Sequence, residues 1–354
     1  MPDNLNNLKR ASVFVDTTER FQSLATSTLV EEGSVPGKPS DRPGVIEIHN
    51  EDSLHAVARC TKPGMRVCIV NNANARKAGG DTVVGDLAQE EELMRRSNYF
   101  KGLEVFVTPD WKDKENCYNL PWYCPGVSEI LLNKGCILTK DIELLKANEK
   151  QGYADLKEKH VFDAIATAAC NISSKEQADS EGLLLSNGSV DYEEYKSRME
   201  AKIRTEIYVA ISHGYRVFIP SALGCGAFRS FEEKASKKPP GFTARMVAEI
   251  YHKILIVEKN RDHFDLVSFA VYDGIYADPQ RSNCAIFQKT FGLKVNVVCR
   301  DVMQRVVQPK SITQRFSAKR DASSIESPSF NSPDKKRTNI NRAPPRGPMP
   351  LKNR

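Results

Sequence analysis

Short apolar runs alternate with amphipathic stretches along most of the chain. Residues 67–70 are continuously apolar, as expected of a strand buried on both faces. Further strand candidates lie at 45–48, 103–108, 126–132, 161–169, 215–223 and 265–273, with an edge candidate at 295–299. Residues 191–213 carry Tyr195, Met199, Ile203, Ile207 and Ile211 at helical spacing. A second helix is expected near 242–257, and a third over 51–59 with Asn50 as its cap. Residues 141–150 and 152–159 read as helix or loop. Residues 1–32 have mixed helical character, with Phe14, Phe21 and Leu24 as anchors, and the Pro- and Gly-rich stretch 33–44 is loop. The segment 109–127, with Trp111, Tyr118, Trp122 and Tyr123, reads as a packed surface loop.

Strands separated by helices predict an α/β sandwich with a mostly parallel sheet. The polar and glycine-bearing tips after 67–70, 161–169 and 215–223 then gather on one edge, where such sheets bind ligands. The expected organisation is an N-terminal extension at 1–44, a catalytic domain at 45–302 and a tail at 303–354. The tail is rich in Ser, Pro, Asn, Lys and Arg and is expected to be disordered. Residues 301–354 hold 12 Lys+Arg against 4 Asp+Glu, so the +6 net charge becomes −2 over the other 300 residues. A basic face for nucleic acid is therefore not expected on the folded body. The tail, with DKKR at 334–337 and Ser327 and Ser332 before prolines, is the candidate for an acidic partner.

Nine cysteines, odd in number and without a CxxC pair, suit reduced thiols in a cytoplasmic or nuclear protein. The spacing of Cys117, Cys124 and Cys136 fits no usual zinc pattern. The six histidines suggest neither a metal site nor a triad. No apolar stretch approaches the ~20 residues of a membrane span, and the N-terminus lacks the apolar core of a secretory signal.

The densest chemistry lies at 67–97, where a strand runs into asparagines, then a loop with Gly79, Gly80 and Gly85, then a helix with carboxylates in its first turns. Asp86 and Gln89 form a capping-box pattern. Glycine lets backbone amides approach a phosphate closely, and Glu90 and Glu91 fall where an attached sugar could lie. An acidic first turn also simply suits the helix dipole. A second loop, Gly224-Cys225-Gly226-Ala227-Phe228, follows the 215–223 strand directly. Together the two loops suggest two walls of amides around a diphosphate.

The string Asn72, Ala73, Asn74, Gly79, Gly80, Gln89, Glu90, Glu91 resembles the signature of the poly(ADP-ribose) glycohydrolases, in particular their compact bacterial type. Two positions depart from it: Asp81 stands for the third loop glycine, and Ala78 for the usual proline. The resemblance covers roughly 45–275 and implies a macrodomain-like three-layer sandwich with a mixed, mostly parallel sheet. It implies cleavage of O-glycosidic ribose bonds in poly- or mono-ADP-ribosylated substrates, without cofactor or metal. Glu91 is then the general acid/base and Glu90 holds ribose hydroxyls. Asn74 and Gln89 orient ribose and loop, and Phe228 packs against ribose. Cys225 is read as a small filler. Glu91 is expected to need desolvation by substrate, because a helix N-terminus lowers a carboxyl pKa, and Glu92 is expected to face solvent. Asp81 is expected either to repel phosphate, by ~4 kcal/mol per charge pair at 4 Å and an effective dielectric of about 20, or to bind a ribose hydroxyl. Lysines in the 231–241 segment are candidates for contact with phosphate or a protein. The alternative reading is a non-catalytic ADP-ribose-binding reader.

Overall fold

The computed structural model describes residues 2–20, 25–34, 37, 42–111, 119–274, 278 and 281–300. Phe21, Leu24, Cys117, Tyr118 and the whole expected tail lie outside them.

The helices, in chain order, are α1 (Pro2–Arg20), α2 (Ser53–Cys60), α3 (Gln89–Arg96), α4 (Tyr99–Leu103), α5 (Pro125–Leu132), α6 (Lys175–Ser180), α7 (Tyr192–Ser212), α8 (Phe231–Lys234), α9 (Phe242–His252) and α10 (Asn283–Thr290). The strands are β1 (Thr26–Val30), β2 (Val45–His49), β3 (Val67–Asn72), β4 (Cys136–Lys146), β5 (Asp155–Thr167), β6 (Val217–Ile219) and β7 (Leu266–Ala270). They form a seven-stranded sheet in the order β1-β4-β5-β3-β6-β7-β2. β5, β3, β6, β7 and β2 are mutually parallel, and β4 and β1 add two antiparallel pairings. The sheet is mixed and mostly parallel, as expected. β1 is one edge strand and β2 the other, so residues 26–30 belong to the sheet itself.

β3 sits between two apolar layers, which is why it reads as a continuous apolar run. Cys68 and Val70 pack with Tyr195, Met199 and Ile203 of α7. Val67 and Ile69 point the other way, to Leu54 and Val57 of α2 and Leu93 and Met94 of α3. Successive strand side chains alternate faces, so one short strand anchors both helix layers. Each fully buried aliphatic side chain there contributes roughly 1.5–3 kcal/mol. Phe14 of α1 is fully buried and meets Phe100 edge-on at 5.1 Å, tying α1 to the α3 side.

Several local expectations are corrected. Residues 126–132 form α5, not a strand: Pro125 supplies a pre-set first helical position, and Val127 and Leu131, four apart, are its buried residues. Residues 103–108 end α4 and enter a 3₁₀ turn at Glu104–Phe106, not a strand. Residues 141–150 and 152–159 lie largely in the β4–β5 hairpin, whose β5 arm is exposed and charged over 155–159 and so lacks strand-like apolarity, while Ile142, Leu144 and Lys146 of β4 are buried. α2 is capped by Asp52, whose Oδ1 accepts from the Leu54 and His55 amides, while Asn50 binds backbone carbonyls of Gly274 and Val297. Residues 295–299 contribute one bridge, Asn50 to Cys299.

On the α7 side, Glu206 has no exposed surface. Its Oε1 accepts from the Tyr251 hydroxyl of α9, and the Thr167 hydroxyl stands beside it. Burial pushes its pKa up to about 8. Among the described residues no helix is long and apolar enough to cross a membrane.

Candidate active site

All five parallel strands deliver their following loops to one edge of the sheet. There a cavity of about 660 Å³ is lined from β3 by Asn72 and Asn74, from the α3 entry by Asp81 and Gln89–Glu92, and from the loop after β6 by Gly224, Gly226, Ala227 and Phe228. Glu51–Leu54 line it after β2, and Val271 and Tyr272 after β7. Thus the two carboxylates and the second glycine loop, more than a hundred residues apart in sequence, face one space.

The loop at 77–81 wraps the carboxylates. Glu90 is 3% exposed and accepts three hydrogen bonds: from the Asn74 amide at 2.7 Å, the Gly79 amide at 3.1 Å and Asn71 Nδ2 at 3.3 Å. Glu91 is 6% exposed; its Oε1 accepts from the Asp81 amide at 3.0 Å, and its Oε2 has no hydrogen-bond partner among the described residues. The Gly80 amide donates to the Lys77 carbonyl. The expectation that these glycine amides cradle phosphate is therefore replaced. The loop spends them on the carboxylates and on its own turn, and Gly79 and Gly80 lie behind the cavity wall. Cys225 also sits behind the wall, buried, as a filler should.

Burial raises the pKa of both glutamates, with the neighbouring Glu91 adding to the effect on Glu90 and Asp86 to that on Glu91. Desolvation by the protein outweighs the amide bonds that favour the charged form. The expectation that only bound substrate could desolvate Glu91 is corrected accordingly. Every donor around Glu90 is an N–H, a set that favours its charged form, while burial opposes it and raises its pKa more strongly than that of Glu91. Glu91, with one unshared oxygen, has room to hold a proton.

Gln89 makes no capping box. Its Oε1 accepts from the Asn72 amide at 2.7 Å, and its Nε2 donates to the Val70 carbonyl at 2.7 Å and Ser53 Oγ at 2.9 Å. It fastens α3 to the end of β3, so it cannot reach back to Asp86, and α3 begins without a side-chain cap. Asn74 Oδ1 accepts from the Arg76 and Lys77 amides and shapes the turn. Asn72 Oδ1 accepts from Ser221 Oγ at 2.6 Å, joining β3 to the loop after β6. Glu92, expected in solvent, pairs with Arg95 and accepts from the Tyr153 hydroxyl at 2.6 Å. Asp81 lines the cavity but is ion-paired with Lys77, whose Nζ lies 5.7 Å from the Trp122 ring centre. That pairing offsets the repulsion expected of a carboxylate in this loop.

The second loop is open for a ligand. The amides of Gly226, Ala227 and Phe228 make no hydrogen bond among the described residues, and successive free amides of this kind form an anion-binding concavity. Phe228 is half-buried beside them. The β2 and β7 tips, with Leu54, Val271 and a half-exposed Tyr272, give the cavity a more apolar end. Sequence reasoning did not assign that end. Its only signal was that these two strands share the direction of β3.

Residues 3–119 match the family model described as microbial-type PARG, catalytic domain. The fold is that of the bacterial poly(ADP-ribose) glycohydrolases. The enzyme (PARG) from Thermomonospora curvata is 20% identical with a TM-score of 0.58, over 80% of this chain and 99% of that one. Its complex with the inhibitor ADP-HPD gives 20% identity and a TM-score of 0.56, over 80% and 98% of the two chains. The Deinococcus radiodurans PARG in complex with ADP-ribose is 17% identical with a TM-score of 0.52, over 79% and 96%. No curated protein matches at the sequence level. The resemblance read from the glycine loop and Gln89–Glu91 is borne out: the PARG family match spans those residues.

Proposed function

We propose that this chain is an ADP-ribose glycohydrolase that hydrolyses O-glycosidic bonds to C1 of the distal ribose, with Glu91 as general acid and then general base. The observation that carries this reading is Glu91 itself, a buried, protonatable carboxyl on the cavity wall, with one oxygen fixed by a backbone amide and the other unshared. The solved PARG structures with ADP-HPD and with ADP-ribose support ADP-ribose as the ligand. In this reading the diphosphate lies on the free amides of Gly226–Phe228, ribose packs on Phe228, and adenine takes the apolar end beside Tyr272. Glu91 gives its proton to the leaving oxygen as the C1–O bond breaks, and the charge on Glu90 supports the cationic sugar. Water then attacks C1 and returns a proton to Glu91. Polymer and mono-ADP-ribosylated protein both present such a bond.

The test is Glu91→Gln, assayed on both substrates with products resolved by mass. ADP-ribose release should fall on the order of 10²–10⁴-fold, with calorimetric affinity for ADP-ribose within a few-fold of wild type. Normal turnover by the variant would overturn the role of Glu91. Tight binding by the wild type without any release would make the chain a reader.

A further inference from the structure

The segment 229–245, just past the second loop, contains five cations (Arg229, Lys234, Lys237, Lys238 and Arg245) and two acids. Both acids are turned inward. Glu232 is 5% exposed and accepts from the Tyr192 hydroxyl. Glu233 accepts from the Gly241 and Thr243 amides and the Thr243 hydroxyl. The cations face out: Arg229, Lys234, Lys237 and Arg245 are exposed, and no carboxylate pairs with any of them among the described residues. Lys238 lies over the Tyr192 and Phe242 rings at 4.8 and 5.1 Å. This positive lip stands out on a body whose first 300 residues sum to −2. It is also joined to the cavity, because Lys234 Nζ donates to the carbonyl of Ala227, a cavity-lining residue.

We propose that this lip is an exosite for the phosphates of polymeric substrate lying beyond the unit held in the cavity, so that the chain grips polymer more tightly than single ADP-ribose units. The proposal rests on the glycohydrolase reading for the cavity's ligand. A polymer whose bound unit sets its diphosphate on Gly226–Phe228 extends its next diphosphates toward the cations of the segment that continues from that loop through α8 into α9. Cations spaced along a short segment match repeated phosphates better than they match one. DNA or an acidic protein would have no end unit to seat in the adjoining cavity.

The test uses the full chain carrying Glu91→Gln, so that substrate persists, with and without Arg229→Gln, Lys237→Gln and Arg245→Gln together. None of these three exposed residues lines the cavity, and an unchanged melting temperature checks folding. Fluorescent polymer should bind the triple variant roughly tenfold more weakly, with the log–log salt dependence shallower by about 2–3. Affinity for ADP-ribose should not change. Unchanged polymer affinity, or equal weakening for polymer and monomer, would overturn the exosite. So would a loss confined to DNA or polyglutamate, which would assign the lip to another polyanion. Failure of the glycohydrolase reading shows separately, as absence of hydrolysis by the chain with Glu91 intact.

Discussion

A methyl group placed on Gly80 would stand 2.3 Å from Glu91 Oε1 and 3.2 Å from Glu90 Oε2. Gly80 also has φ of +60°, in the left-handed region. The glycine is therefore required by the carboxylates it touches. Gly80→Ala should push both acids off their amide donors. Misplacement of about 1 Å can cost 10²-fold in rate, so kcat should drop by roughly that factor. Strain of roughly 1–2 kcal/mol should appear in denaturant unfolding. Wild-type kcat in this variant would show that the loop can yield without moving the acids.

Asp81 is tolerable in the loop because Lys77 neutralises it. Lys77→Met should leave a negative charge on the cavity wall and weaken ADP-ribose binding about five-fold, equivalent to ~1 kcal/mol for a partly exposed pair. Lys77→Met with Asp81→Asn should recover the affinity. Calorimetry on the two variants checks this, and failure of the double variant to recover would place the effect in packing against Trp122.

The pH profile should carry the mark of Glu91. An acid catalyst must be protonated, so kcat/KM should hold below its pKa and fall as pH rises through it. Burial raises that pKa above the ordinary glutamate value, so the falling limb should be displaced toward neutral pH. Glu91→Gln should abolish this limb in whatever rate remains.

Glu206 makes a stability prediction away from the cavity. Its pKa is about 8 in the folded chain, against an ordinary value of 4.5. Between those values the folded state holds a proton that the unfolded state has released. Its contribution to stability is thus fully present below about pH 4.5 and is lost as pH rises toward 8, at up to ~1.4 kcal/mol per pH unit. Glu206→Gln should flatten the wild-type decline in unfolding free energy over that window.

What the sequence made legible follows from where each residue's partners lie. β3 was readable because residues 67–70 are apolar on both faces, and α7 because its apolar positions run long enough to show a period. Residues 126–132 were not, since a seven-residue segment with Val127, Ile130, Leu131 and Leu132 as its apolar positions is too short to separate strand from helix; Pro125 was the overlooked signal. The β4–β5 hairpin escaped because the outer part of β5, residues 155–159, is exposed on both faces, and the β4 residues facing it alternate over too short a stretch around Ile142, Leu144 and Lys146. In the site, Gln89–Glu91 and residues 224–228 could be named from a resemblance of unbroken spacing. The destination of the Gly79 and Asp81 amides could not, because it depends on carboxylates some ten residues later that only folding brings back. The Glu92–Tyr153 bond was hidden for the same reason, whereas the Lys77–Asp81 pair, four residues apart, depends on the turn the loop takes around the carboxylates.

The three bonds made by the Gln89 side chain have a kinetic corollary. They bolt the carboxylate helix to the sheet through groups of the chain itself, so an arriving sugar meets groups already in position. None of the ligand's affinity is diverted to ordering that helix, and each round of turnover can begin without rebuilding it.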